Sequence, residues 1–258
     1  MSTTIHVNLG EVAAALALVA IAVAVSLWSR SGVAEDIGIA VVRSFIQLTA
    51  VGYVVKIVFE QDSLALVIAL ISAMTLIGAF TARSRAKRVP NSFWPLLIAL
   101  GFASAATLGL VVALGIFPST PRYLVPVGGM VIGNAMTAAA VALNRLGDDV
   151  GDSARHIEAT HALGATPAVA VRPYVQRSLR SGVIPLIDQT KTTGLVAFPG
   201  IMVGMLLAGA APVDAVRLQL VLLYVLLGGT SIAALVAVLL AYRAFFTPAQ
   251  QLRDVASE

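Results

Sequence analysis

The sequence contains no cysteine and little charge. Without cysteine, neither a disulfide framework nor a thiolate metal site can form. Charged residues make up 12% and hydrophobic residues 59% of the chain, whereas soluble domains carry roughly 25% and 45–50%. Segments of the type Gly-x-x-x-x-Gly-Lys-Ser/Thr, His-Glu-x-x-His and Gly-x-Ser-x-Gly are also missing. The chain therefore has no loop for ATP phosphates and no hydrolase motif, and its composition favours membrane helices.

Histidine is scarce as well, and its spacing gives no metal-binding pattern. His6 lies near the start of the chain. His156 and His161 are five residues apart, which does not bring both onto one helix face as an i,i+4 spacing would. No metal ligand is assigned from the sequence.

Apolar runs of about 17 to 25 residues, the length that crosses a bilayer, recur along the chain. No Lys or Arg precedes Arg30, so the first run lacks the basic start of a cleaved signal and is expected to be a true span. The pattern predicts an all-α, polytopic membrane protein with one transmembrane domain over residues 1–258. Seven spans are expected: Leu9–Trp28, Ile37–Phe59, Leu64–Phe80, Phe93–Phe117, Tyr123–Leu143, Pro185–Ala208 and Leu218–Ala244.

The basic residues predict the orientation of these spans. Connections after the odd-numbered spans are rich in Lys and Arg, and such connections remain in the cytoplasm. We therefore expect the N-terminus outside and the C-terminus inside. We interpret the cluster at residues 83–88 as an orientation anchor in the bilayer, so no nucleic-acid partner is expected. The basic residues concerned are Arg30, Arg83, Arg85, Lys87, Arg88, Arg145, Arg155, Arg172, Arg177, Arg180, Arg243 and Arg253.

The longest polar connection, residues 144–182, is predicted to be a cytoplasmic helix–turn–helix. Asp152 and Ser153 suit the N-cap of a short helix over Arg155–Leu163. Gly164 supplies the left-handed residue that commonly ends a helix, and Thr166-Pro167 begins the next one.

This connection resembles the Glu-Ala-Ala-x-x-x-Gly loop of ATP-binding-cassette importers, with Thr160 in place of the second Ala. In those transporters the loop docks on the ATPase subunit. The resemblance implies a separate ATPase partner, which would bind ATP and Mg, and no cofactor in this chain. The alternative is an ordinary cytoplasmic loop with a similar composition. The residues expected to couple to the ATPase are Glu158, Ala159, Leu163, Gly164 and Ala165.

Three further blocks carry a wider resemblance. They are Arg43-Ser44-Phe45-Ile46-Gln47-Leu48, the Pro-x-Gly-Gly-Met and Gly-Asn pattern of residues 126–136, and the Pro-Gly-x-Met-x-Gly pattern of residues 199–204. Over nearly its whole length the chain resembles the bacterial permease family associated with iron export, which is related to a plant permease implicated in aluminium tolerance. The resemblance implies a permease of the bacterial cytoplasmic (inner) membrane that exports a metal ion such as iron.

One coupling loop offers one ATPase contact, so two-fold symmetry favours a homodimer with two ATPase subunits. Two alternatives to an exporter stay open. One is an import permease for a small solute, and the other is a membrane scaffold without transport activity.

Proline and glycine predict where spans five and six should lose helical hydrogen bonds, and such backbone is tolerated where it lines a cavity or packs against protein. Pro126 marks this position in span five. One interpretation is a substrate pathway lined by thioethers and freed carbonyls. In the other, the methionines fill gaps and the amide bonds a neighbouring helix. The candidate pathway residues are Met130, Asn134, Pro199, Gly200, Met202 and Met205.

Four polar residues fall within predicted spans. Arg43 lies about 9 Å from the cytoplasmic end of span two, where it could snorkel to the interface or form an inward polar seam with Gln47. Asp188 and Lys191 are spaced for an i,i+3 ion pair at the cytoplasmic end of span six. That pair could cap the span or act in gating.

Overall fold

The computed structural model describes residues 9–253, and its regular secondary structure is helical throughout that range. A short 3₁₀ turn, Tyr242–Phe245, follows the last helix. The helices are α1 Leu9–Trp28, α2 Ala34–Gln61, α3 Leu64–Arg83, α4 Phe93–Ala113, α5 Pro121–Asp152, α6 Ala154–Ala162, α7 Pro167–Thr192, α8 Gly200–Leu207 and α9 Pro212–Ala241.

Six of these helices are long and apolar enough to cross a bilayer, namely α1 to α5 and α9. The predicted all-α, polytopic fold is therefore confirmed. The predicted sixth span differs from the structure, because residues 185–208 do not form one helix. They are divided between the end of α7, a turn at residues 193–199, and the eight-residue α8. The expected count of seven spans and their orientation stay predictions.

Helices α1 and α2 form one compact unit, which also takes in Leu207–Gly209. Their connection is short because Arg30 and Gly32 both adopt positive φ, at 50° and 75°. The hydroxyls of Ser26 and Ser31 share a hydrogen bond of 2.8 Å across that turn. The result is a helical hairpin held by its own turn.

The remaining helices form the second unit around α5. Its core consists largely of alanine and leucine, and α5 alone buries Ala135, Ala139, Leu143 and Leu146. Small residues let the helices approach closely in a membrane, where packing rather than water exclusion drives their association. Pro126 does not end α5, contrary to the expected loss of helical structure. It lies in the second turn, where its missing N–H removes only one helical bond.

Candidate functional site: the α5–α6–α7 connection and the end of α7

The helix–turn–helix predicted from the sequence is present in the structure. α6 ends in a Schellman turn: the N–H of Ala165 donates to the Thr160 carbonyl at 3.3 Å, and that of Gly164 to the His161 carbonyl at 2.9 Å. Gly164 has φ +93°, the left-handed value that this turn needs. A contact of 2.7 Å between His161 Nδ1 and the Ala165 carbonyl closes the same turn. The connection is shorter than residues 144–182, because α5 continues to Asp152 and α7 begins at Pro167.

One side of α6 packs into the core, and the other side is exposed. Ile157 is fully buried in the main apolar core. Glu158 and Ala159 are exposed, and Leu163 at the turn is 90% exposed. Leu163 thus presents a large apolar side chain at the surface of this turn.

The base of the connection is held by contacts distant in sequence. Arg88, before α4, pairs with Asp148 of α5 at 3.0 Å. A Cβ on Gly147 would lie 2.8 Å from Arg88 Cβ, so the α3–α4 loop packs directly on α5. Arg145 pairs with Asp149 one turn along, also at 3.0 Å. These contacts fix the end of α5 from which α6 projects.

Helix α7 leaves this connection and packs tightly on α5. A Cβ on Gly182 would lie 2.5 Å from the Ala138 carbonyl oxygen and 2.9 Å from Ala142 Cβ. Gly182 is about 15 residues from the start of α7 and Ala138 about 14 residues from the end of α5, or roughly 21 to 23 Å each. Equal distances from a shared junction mean that the two helices run in opposite directions. α7 is therefore one helix from the connection into the bundle, with Pro173 and Pro185 inside it.

The depth of the polar end of α7 follows from that contact. Arg122 and Arg145 on α5 are about 34 Å apart along the helix, which brackets a hydrocarbon core of about 30 Å. Ala138 lies about 10 Å from Arg145, and Asp188 about 9 Å beyond Gly182. Along these two helices, Asp188 therefore lies roughly 19 Å from the level of Arg145.

The placement of Asp188 and Lys191 at the cytoplasmic end of span six stays a prediction. The sequence interpretation began the span at Pro185, whereas α7 has already entered the bundle by then, since Pro185 lies inside the helix. The predicted ion pair itself is present, with Lys191 Nζ 3.4 Å from Asp188 Oδ1. Both side chains are largely exposed, at 70% and 62%.

The methionines predicted to line a pathway occupy two different environments. Met130 packs against the apolar cluster that includes Val127, Val131 and Leu222. Met202 and Met205 are half-buried on α8, a helix without any buried residue. They begin one turn after Pro199-Gly200, as expected, since α8 starts at Gly200. The structure gives no contact that joins the two groups, and their role stays a prediction.

The two polar residues of α2 and the asparagine of α5 differ in their hydrogen bonding. Asn134 is half-buried, and its amide donates to the Met130 carbonyl of its own helix at 2.9 Å. Arg43 and Gln47 lie one turn apart on an exposed face of α2. Their role, as a snorkelling group or as part of a polar seam, stays a prediction.

Within residues 9–253, no group of three or more His, Cys, Asp and Glu side chains could hold a metal ion.

A bundle of apolar helices with a polar, exposed connection on one side defines a multi-pass membrane permease. The chain belongs to the family UPF0014, described as an uncharacterised protein family, which it matches over residues 9–246. Its relatives include bacterial membrane proteins, in keeping with a location in the bacterial inner membrane.

Three relatives show how far the likeness extends. The UPF0014 membrane protein STAR2 of rice, Oryza sativa subsp. japonica, is 40% identical over 93% of this chain and 85% of its own. Protein ALUMINUM SENSITIVE 3 of Arabidopsis thaliana is 35% identical over 93% of this chain and 88% of its own. The "Probable iron export permease protein FetB" of Escherichia coli strain K12 is 34% identical over 94% of this chain and 93% of its own. No solved structure matches the chain.

Proposed function

We propose that this chain is the membrane subunit of an ATP-driven exporter of a metal cation, with iron as the first candidate. Two copies would pair with two separate ATPase subunits, which would bind ATP and Mg. The name of the Escherichia coli relative supports the substrate and the direction of transport. The chain's contribution is mechanical, because its sequence carries no P-loop of its own.

The exposed turn at the end of α6 is the observation that supports contact with an ATPase subunit. Leu163 projects from it almost fully exposed, while Ile157 on the other side of the helix is buried. In this position the Leu163 side chain can enter an apolar pocket on a partner. The exposed carboxylate of Glu158 lies on the same short helix and would set the charge complementarity.

The link from the ATPase to the membrane is α7. It begins four residues after Leu163 and is unbroken to Thr192, a length of about 39 Å. Because Gly182 packs against the backbone of α5, α7 cannot slide past α5 without the two helices separating. Motion of the turn would therefore move α7 against α5 and displace its far end, with Pro173 and Pro185 as the positions where the helix would bend. Motion of one part of the bundle against another is how alternating access is achieved in transporters.

The test uses Leu163→Asp, with Leu163→Met as the matched control. A charge in an apolar pocket is costly, so Leu163→Asp should weaken association with the ATPase about tenfold or more and lower stimulated ATP hydrolysis. Leu163→Met keeps the apolar volume and should behave as the unmodified chain. Neither variant should alter membrane insertion, since the Leu163 side chain is almost fully exposed.

Co-purification with the ATPase and ATP hydrolysis in the reconstituted complex give the measurement. Glu158→Lys should weaken association in the same direction as Leu163→Asp. Full association and full stimulated hydrolysis in both variants would show that the turn does not contact the ATPase.

A further inference from the structure

With Arg122 and Arg145 of α5 taken as the two membrane boundaries, the charges of Asp188 and Lys191 lie near the middle of the membrane on one helix. Charged side chains are rare at that depth and almost always face the bundle interior or a water-filled cavity. Both belong to α7, three residues apart, so their ion pair joins no two helices. Structural support therefore does not account for these charges.

The helical structure ends next to this ion pair. α7 ends at Thr192, whose carbonyl accepts from the N–H groups of Leu195 and Val196 at 3.2 and 3.0 Å. Gly194, with φ +84°, allows the chain to turn back on itself. Helix ends inside a membrane are found at ion and substrate sites of transporters, where the negative C-terminal end of the helix faces a cation.

Oxygen atoms dominate the chemistry of this helix end. Besides the Asp188 carboxylate, the last turn carries the Gln189 amide and the hydroxyls of Thr192 and Thr193. Those two hydroxyls donate to the Gln189 carbonyl of their own helix, at 3.1 and 2.8 Å, which leaves their oxygen lone pairs available. Carboxylate, hydroxyl and carbonyl oxygens suit hard cations, whereas thioethers suit soft ones.

We propose that Asp188 is the carboxylate that receives the transported cation at the midpoint of its path, and that Lys191 is its counter-ion when no cation is present. This inference rests on the proposed function. The incoming cation displaces the Lys191 ammonium from Asp188, so the carboxylate has a cationic partner before and after binding. The turn at residues 193–199 lets the end of α7 move when the ATPases move its other end.

A site with a single carboxylate suits a cation that passes through the protein better than one that is retained. The described residues contain no cluster of metal ligands, so binding to this chain is weak and reversible. Conduction needs a site that is favourable enough to enter and weak enough to leave. Asp188 with a few neutral oxygens meets both conditions.

The test is Fe²⁺-stimulated ATP hydrolysis by the complex of this chain and its ATPase in lipid vesicles, under conditions that keep the iron reduced. Asp188→Asn keeps the size of the side chain and removes its charge. It should raise the half-saturating Fe²⁺ concentration about tenfold or more. Lys191→Gln removes the competing ammonium and should lower that concentration.

Asp214→Asn is the matched control. Asp214 forms an i,i+3 pair with Arg217 at 3.6 Å and is similarly exposed, but it lies in the first turn of α9. This variant should leave the Fe²⁺ dependence unchanged. Size-exclusion profiles show which variants fold. If Asp188→Asn does not fold, the Fe²⁺ dependence of Lys191→Gln tests the role of Asp188.

The outcomes separate this inference from the function on which it rests. Iron stimulation of the unmodified complex, with unchanged half-saturation in Asp188→Asn and Lys191→Gln, would overturn the role of Asp188 and leave export standing. An equal rise in the half-saturating Fe²⁺ concentration in Asp214→Asn would also overturn it, because the position of the carboxylate in the fold would then not matter. Absence of iron stimulation in the unmodified complex would overturn both.

Discussion

Replacement of Gly182 by alanine should separate α7 from α5. The added Cβ would meet the Ala138 carbonyl oxygen at 2.5 Å and Ala142 Cβ at 2.9 Å, distances that real Cβ atoms essentially never show. The first of these neighbours is backbone in the middle of a helix, so no side-chain rotation can relieve the clash. Helices α5 and α7 must therefore move apart where Gly182 meets Ala138 and Ala142.

The magnitude follows from comparison with a second glycine. Overpacking typically costs about 1–3 kcal/mol, and a clash with backbone belongs at the upper end. A helical Gly→Ala change by itself stabilises by about 0.5–1 kcal/mol. A Cβ on Gly133 of α5 would meet nothing within 4 Å, so Gly133→Ala carries only this gain. The two variants should therefore differ by about 3 kcal/mol, because the propensity term cancels.

Thermal unfolding in detergent measures that difference. For a chain of this size, about 3 kcal/mol corresponds to roughly 6–12 °C in Tm. Gly182→Ala should also lose coupling of ATP hydrolysis to transport, since α7 no longer bears on α5. Melting of Gly182→Ala within about 2 °C of Gly133→Ala would refute the close α5–α7 crossing and, with it, the depth assigned to Asp188.

Two further predictions concern α9 and the orientation. Gly229→Ala should destabilise by about 1–3 kcal/mol, since its Cβ would lie 2.9 Å from Thr107 Oγ1 and 3.1 Å from Val131 Cγ1, whereas its neighbour Gly228 has nothing within 4 Å. Equal melting of Gly229→Ala and Gly228→Ala would contradict the α4–α9 packing. A reporter inserted at Ser119 should lie outside the cell and one fused to the C-terminus inside, because basic connections stay in the cytoplasm. Detection of both reporters on one side would exclude an orientation with seven crossings.

Features that depend on short-range rules were predictable from the sequence. The α6 turn is set by residues within one helical turn of Gly164, and its left-handed φ was expected from glycine after a helix. The start of α8 at Gly200 was likewise expected from Pro199-Gly200. Local steric rules decide both, so no knowledge of packing was needed.

The extent of the break between α7 and α8 was not predicted. Helical structure ends at Thr192, well before Pro199, because Gly194 turns left-handed and the Thr192 carbonyl captures the next amides. The hydroxyls of Thr192 and Thr193 donate to carbonyls of the preceding turn of α7. The sequence predicted a break only at Pro199-Gly200, since Leu195, Val196 and Phe198 are as apolar as any membrane helix.

The depth of Asp188 could not be predicted, because it depends on which α5 residue Gly182 meets. A hint was present in Ala138 and Ala142, two small residues four apart that form a surface for close helix approach. Recognition of that pattern opposite Gly182 would have extended α7 back to the cytoplasmic connection. The ion pair between Arg88 and Asp148 was likewise hidden, since its partners are 60 residues apart.

The central claim is that this chain carries a metal cation out of the cell when a partner ATPase hydrolyses ATP. Its most direct test is radioactive Fe²⁺ flux in vesicles that contain the complex, with the ATPase side facing the added ATP and iron. We expect ATP-dependent accumulation of iron inside these vesicles, reduced in Asp188→Asn and unaffected in Asp214→Asn. Iron that does not move with ATP, or that leaves preloaded vesicles when ATP is added, would contradict the claim.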